Sequence, residues 1–407
     1  MKKIILVISF ISGTLYTQAQ EVIQLTNNNT KEIVNFRQID KWADGSVMND
    51  SKVDGIYYRK KSGIYYVDTN FIKEKNAYIN DYSLLLGKDN FVKISQAFPT
   101  VTLNEVKKYN ANATLNNSAE WYIVSKLLDV LPTGSTIVFN GKYNFDLPIV
   151  IKRSRITLRG VDNSAEARSW LSRSTLKSIN SNDLIQFVDG DGKTNTTKGN
   201  VELVNLDNLT LLGSGDLKNY SRYGINFNFS SAGTLIGSTF TNIYMGNFMT
   251  GVKHTSGHIN SLKFQEVSSN ANIDKGFDFI GDQNNQVNAV IFERGGASSN
   301  GYKIEKGNLV AITKADDYSG KGGFFIKGGT ALNFIGMDFT TNNGYGMNFG
   351  NSHAYGCSFK FYSEGNFVDF RYQITLKWTK SLDLSFYSKN NTVVFDDPAV
   401  KAKYYKE

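Results

Sequence analysis

Four carboxylates fall at nearly the same distance ahead of a recurring glycine. Glu293 lies eight residues before Gly301, Asp338 eight before Gly346, and Asp316 seven before Gly323 with Asp317 beside it. If each glycine marks one layer of a stacked chain, these side chains stand in one vertical line. Stacked strands lie about 4.8 Å apart, so carboxylates one or two layers apart are separated by about 4.8 or 9.6 Å. Those spacings bracket the ones that acid–base chemistry at a glycosidic bond requires, about 5 Å for retention and about 6.5–9.5 Å for inversion. Crowded like charges also raise one pKa, as a general acid needs. Arg294 and Lys314 stand close by, and Lys303 lies on a second outward column. Such cations can bind a uronate carboxylate, or neutralise it before a lyase abstracts the α-proton. The competing reading is a solvated acidic ladder balanced by the same cations.

Other chemistry is thinner. Asp189, Asp191 and Asn195 in "DGDGKTN" supply hard oxygen donors that suit Ca²⁺, although the spacing and distal Glu of an EF-hand are absent and a polar turn is the favoured reading. The three histidines, His254, His258 and His353, form no metal motif, which argues against zinc. No Ser-His-Asp triad can be assembled from spacing.

The elements that must position these groups come from the repeat. A glycine followed by apolar-any-apolar recurs at Gly224, Gly251, Gly276, Gly301, Gly323 and Gly346, at intervals of 27, 25, 25, 22 and 23. Alternation means strand, with the outer residues of each triplet on one face. Second strand-like runs sit between them: "SLKFQEV", "NAVIFER", "NLVAITK", "ALNFIGMDF" and "GCSFKF". A period in the low twenties made only of strands fits one coil of a parallel β-helix, with glycine where a corner needs unusual backbone angles or close approach. His254 falls in an inward slot and reads as a packed core histidine. The outward residues Asn226, Lys253, Asp278, Lys303, Phe325 and Asn348 form a ladder whose alternating charges can simply pair, or along which a polysaccharide can lie.

Ahead of the repeat, Trp121, Val124, Leu128 and Leu131 mark one face of a helix that Ser118 caps and Pro132-Thr133-Gly134 ends. A lone amphipathic helix there is placed to cover the open end of a solenoid. Residues 1–19 read as a secretory signal peptide: Lys2 and Lys3, the apolar run from Ile4 to Ile11, then Thr17 and Ala19 as small residues before the cut. No later segment has eighteen consecutive apolar residues, so no membrane span is expected. The formal charge is +8, and losing the two lysines of the leader leaves +6. That mildly favours an anionic partner, while the absence of clustered Lys and Arg argues against nucleic acid. Cys357 is the single cysteine, so no disulfide forms within the chain.

The stretch "GSTIVFNGKYNFDLPIVIKRSRITLRG" after the helix resembles the first coils of the pectate lyase superfamily. "DKWADGSVMNDSKVDGIYYRKKSGIYYVDTNF" resembles the short β-rich segment that precedes the β-helix in phage tailspike-like proteins. The resemblance spans roughly residues 40–375. It implies an all-β chain forming a right-handed parallel β-helix, in a superfamily of lyases, hydrolases, epimerases and non-catalytic binders. The acidic stretch common before the helix is replaced by "LLLGKDNFVKISQAF", and Gly257-His258-Ile259 departs from the Gly-His-Gly of the pectin hydrolases. The expected organisation is a leader (1–19), a small β-rich head (20–95), a capped β-helix (96–385) and a C-terminal tail (386–407). The expected function is binding and cleavage of an extracellular polysaccharide, with an anionic one favoured, by a polysaccharide lyase or glycoside hydrolase that is secreted, periplasmic or at the cell surface. The alternative is a non-catalytic adhesin or tailspike-like attachment module, for which the analogy implies a homotrimer.

Overall fold

The structure is a computed structural model that describes residues 22–26, 33–38, 56–61, 64–67, 121, 124, 125, 128, 136–139, 142–160, 174–192, 197–389 and 392–405. The chain is a parallel β-helix. One sheet has nine parallel strands, from Ile149–Ile151 through Ile185–Phe187, Tyr223–Asn228, Thr250–Ser256, Lys275–Phe279, Gly322–Ile326, Tyr345–Phe349 and Val368–Tyr372 to Val393–Phe395. A second has seven short strands, from Asn200–Glu202 to Thr379–Lys380. The third carries the long strands, among them Asn205–Leu212, Thr239–Gly246, Lys263–Asn270, Asn333–Thr340 and Ser358–Glu364. One strand from each sheet makes a rung.

Left-handed residues set the corners, in register from rung to rung. Asn208, Asn242, Glu266, Arg294 and Gly336 (φ 49° to 63°) each turn a long strand part-way along. Two more columns turn the chain between sheets: Leu203, Gly237, Ser261, Ala289, Ala331, Gly356 and Ser381, and Ala271, Ser299, Thr341 and Gly365. Most of these are not glycine. A left-handed L-residue is locally unfavourable, so the stacked hydrogen bonds of neighbouring rungs must hold the corners.

Inward residues stack into one core. Phe240, Phe264, Phe292, Phe334 and Phe359 oppose one another in register, with ring centroids 4.7 to 5.0 Å apart. Beside them runs a buried asparagine ladder. Asn272, Asn300 and Asn342 each donate from Nδ2 to Oδ1 of the next asparagine, ending at Asn366, at 2.9 Å in every step. Each Oδ1 also accepts a backbone N–H from the rung before. The repeated glycine of the nine-strand sheet is required by close approach: a Cβ on Gly251 would meet Ser269 Oγ at 1.7 Å and Gly276 O at 2.8 Å.

One glycine of the series does not mark a rung. Lys275–Phe279 pairs directly with Gly322–Ile326. After the rung strands Ile291–Glu293 and Gly296–Ser298, the chain leaves the stack as an antiparallel hairpin, Tyr302–Glu305 with Asn308–Ala311. The triplet after Gly301 lies in this hairpin and buries no inward face: Ile304 is 46% exposed. Phe279→Asp therefore should destabilise the protein by several kcal/mol, burying an unpaired charge at a site 1% exposed. Ile304→Asp should change stability by less than about 0.5 kcal/mol in the same denaturant titration; equal losses would contradict the hairpin assignment.

His254 is buried as expected. Its Nε2 faces Gly257 O at 3.0 Å, and Nδ1 has no hydrogen-bond partner. Burial pushes its pKa down to about 4 from 6.5. The unfolded chain then binds the extra proton between those values, so stability is full above pH 6.5 and falls as the pH drops toward 4, by up to about 3 kcal/mol. His254→Leu should flatten that slope in melting curves; an unchanged slope would exclude His254 as its source.

At the N-terminal end, the described residues Trp121, Val124, Ser125 and Leu128 are helical, and Val124 and Leu128 join the core. Trp121 Nε1 donates to Pro148 O at 2.8 Å. At the other end the last rung is Val393–Phe395, beyond the expected limit of 385, and the helix Pro398–Tyr404 follows it. Val400 is fully buried, and Tyr405 stacks on Phe386 at 5.5 Å. Residues 1–19 and Leu131 lie outside the described residues, as does most of the head, of which four strands are described. Among the described residues no helix is long and apolar enough to cross a membrane.

Candidate functional site

The long strands decide where the four carboxylates go. Glu293 opposes Gln265 and Ile335, whereas Asp338 opposes Gly296 and Tyr362. Glu293 precedes the left-handed corner at Arg294, and Asp338 follows the equivalent corner at Gly336. They do not share a column. Asp316 and Asp317 lie in the excursion that carries the hairpin and belong to no rung. The error is the ruler: Gly301 stacks at a corner between Asn272 and Asn343, outside the glycine column of the nine-strand sheet, so distances counted from it do not transfer to Gly346.

Three of these carboxylates have structural duties. Glu293 Oε2 accepts from Lys263 Nζ at 2.9 Å and Oε1 lies 3.3 Å from Arg294 Nε, which hold its pKa down, Lys263 foremost. Asp316 ties the excursion together, accepting from Lys303 Nζ at 2.9 Å and from Thr313 N at 2.7 Å, and its pKa falls to about 2, chiefly through Lys303. Asp317 accepts from Ser319 N at 3.0 Å, which lowers its pKa. The cations are similarly occupied. Arg294 bridges Glu293 and Glu266, Lys303 pairs with Asp316, and Lys314 lies 5.9 Å over the Phe367 ring. Asp189 Oδ1 accepts from Ser230 N at 2.8 Å. Asn195, the third oxygen donor considered for calcium, lies outside the described residues. No group of three or more His, Cys, Asp or Glu side chains suited to a metal occurs among the described residues.

Asp338 is different. Its pKa is raised, by desolvation first and by the charge of Glu364 second. It faces outward in a column that reads Tyr244, Ser268, Gly296, Asp338, Tyr362, Tyr387 over six rungs. Tyr362 and Tyr387 stack at 5.6 Å with their planes 13° apart, and Tyr387 is 60% exposed. Glu364 stands one rung from Asp338 and two residues along. A rung of about 4.8 Å and two residues at about 3.3 Å each place the two side-chain bases about 8 Å apart. Tyr362 Oη and Lys389 Nζ both donate to Glu364. They lower the Glu364 pKa, Lys389 foremost, and the same contact pushes the Tyr362 phenol up to about 12. The two neighbouring carboxyls are thus shifted in opposite directions, the kind of asymmetry on which acid–base pairs are built. At Gly296 the column carries no side chain, because the neighbouring backbone at Asp338 comes too close for one. A Cβ there would meet Asp338 O at 2.1 Å.

Tyr362, Glu364, Tyr387 and Lys389 were not singled out from the sequence. The buried asparagines would have found the first two. Asp338 and Tyr362 each lie four residues before their ladder asparagine, Asn342 and Asn366, and Thr340 and Glu364 each lie two before. The outward ladder pairs in part: Lys253 Nζ reaches Asp278 Oδ2 at 2.6 Å, joined by Lys275 Nζ at 2.9 Å, whereas Lys303 is not on it, since Asp278 opposes Phe325 and Lys303 lies in the hairpin.

A scan against protein-family models returns no match, and a comparison with curated proteins returns none either.

Proposed function

We propose that this chain is an exported glycan-binding β-helix that holds an extended polysaccharide along the Tyr244–Tyr387 column and hydrolyses it beside Asp338. The observation that carries this is the pairing of Asp338, pKa raised, with Glu364, pKa lowered, next to a stacked and partly exposed tyrosine pair. Tyrosine faces suit the apolar faces of sugar rings. Asp338 would protonate the leaving oxygen. Glu364, whose carboxylate retains lone pairs beyond the two bonds it accepts, would activate water. A separation of about 8 Å falls within the range for inversion. The resemblance of residues 134–160 to the pectate lyase superfamily, and of the segment around residues 40–71 to tailspike-like heads, supports a glycan as the ligand. The second reading is a non-catalytic adhesin, favoured by one observation: both Glu364 oxygens already accept bonds from this chain.

The test is incubation of the mature protein with neutral and acidic polysaccharides, read by reducing ends and by unsaturated-uronate absorbance. New reducing ends without unsaturation are expected. Both signals together would make it a lyase, and binding with neither would make it an adhesin.

A further inference from the structure

Resting on the glycan reading above, we propose that the polymer held on this face is a neutral polysaccharide and not a uronic-acid polymer. A polyuronate presents a carboxylate on each sugar, so its site must offer cations whose charge is free to meet it. Between the Tyr244 and Tyr387 rungs, the cations on the long strands and their flanks face carboxylates of this chain. Lys263 and Arg294 converge on Glu293, and Arg294 also approaches Glu266. Lys360 lies 3.6 Å from Asp383, and Lys389 is paired with Glu364. Asp338 has no cation within salt-bridge distance among the described residues, so the column around Asp338 is net negative. An anionic chain laid there would meet like charge and would have to break an ion pair before forming one.

The remaining groups suit hydroxyls. Ser268 and the flanking Asn270, Ser298 and Thr340 offer hydroxyl and amide donors and acceptors on successive rungs, and Tyr362 and Tyr387 offer ring faces. The overall positive charge of the chain therefore gives no guide to this face: the excess lies elsewhere.

The experiment compares binding of oligosaccharides from the glucan, mannan, galactan and xylan series with binding of oligogalacturonate and oligomannuronate of matched length. Measurements use isothermal titration at low salt, on the wild-type mature protein and on Glu364→Gln, which frees Lys389. The expected result is at least tenfold tighter binding of a neutral series by the wild type. Glu364→Gln should gain oligo-uronate binding that disappears when added salt screens Lys389. Wild-type binding of an oligo-uronate as tight as that of any neutral oligosaccharide would overturn the inference and leave the glycan reading standing. Binding of neither class would overturn both. No gain in Glu364→Gln would overturn the masking of Lys389 on which the inference rests.

Discussion

Asn342→Ala is expected to lower the melting temperature by roughly 10 °C, although residue 342 touches neither solvent nor the candidate site. Its side chain donates to Asn366 Oδ1 and to Ala297 O, and accepts from Asn300 N and Asn300 Nδ2. Truncation leaves the buried Asn300 N–H without its acceptor and strips one bond each from Asn300 Nδ2, Asn366 Oδ1 and Ala297 O. Each such group costs about 1–3 kcal/mol, and the ladder is a chain of mutually polarised bonds, so the total should reach about 3–5 kcal/mol. In a folded body of this size each kcal/mol shifts the midpoint by about 2–4 °C. Calorimetry of Asn342→Ala beside the exposed control Asn308→Ala would separate the ladder from a general effect of losing an amide; equal melting temperatures would mean the ladder contributes nothing.

Asp338→Asn should reduce turnover by about 10²–10⁴ while leaving the fold intact. The amide keeps the shape of the side chain and cannot deliver the proton. The melting temperature should not fall, because the change removes the repulsion between Asp338 and Glu364. The pH profile carries the same information. Activity requires Asp338 protonated and Glu364 ionised. The rate should therefore fall as pH rises through the elevated Asp338 pKa and fall again as pH drops through the lowered Glu364 pKa, giving an optimum on the acid side of neutrality. Glu293→Gln, by contrast, should leave turnover near wild type, since Glu293 lies beyond the Arg294 corner and is neutralised there. Full activity in Asp338→Asn would end the assignment.

What could be read from the sequence follows from which forces leave periodic traces. Inward residues must be apolar on every rung, so Phe227, His254 and Phe279 were placeable from alternation alone, and each is buried. The glycine series was informative because backbone approach at Gly251 and Gly276 excludes a side chain. It misleads at Gly301 because the hairpin that follows carries the same apolar-any-apolar triplet without burying it, and the 22 residues to Gly323 resemble one coil in length. Outward positions carry no such constraint. Once the count slipped by one false rung, Glu293 and Asp338 were aligned when they stand on either side of a corner. That corner was invisible, because Glu266 and Arg294 adopt left-handed geometry without being glycine or asparagine. Asn272, Asn300, Asn342 and Asn366 give the true ruler, but asparagine is common in turns throughout this chain, and nothing in the sequence distinguishes the buried set from the exposed ones.

The most direct measurement of glycan binding on the Tyr244–Tyr387 column is the affinity of Tyr387→Ala for the oligosaccharide that the wild type binds best. Tyr387 is 60% exposed, so its loss should not disturb the core. Its ring supplies half of the stacked pair beside Asp338. Removal should weaken binding about tenfold, corresponding to about 1.4 kcal/mol for one lost ring face, with unchanged circular dichroism and melting temperature. Undiminished affinity in a folded Tyr387→Ala protein would contradict the placement of the glycan on this face.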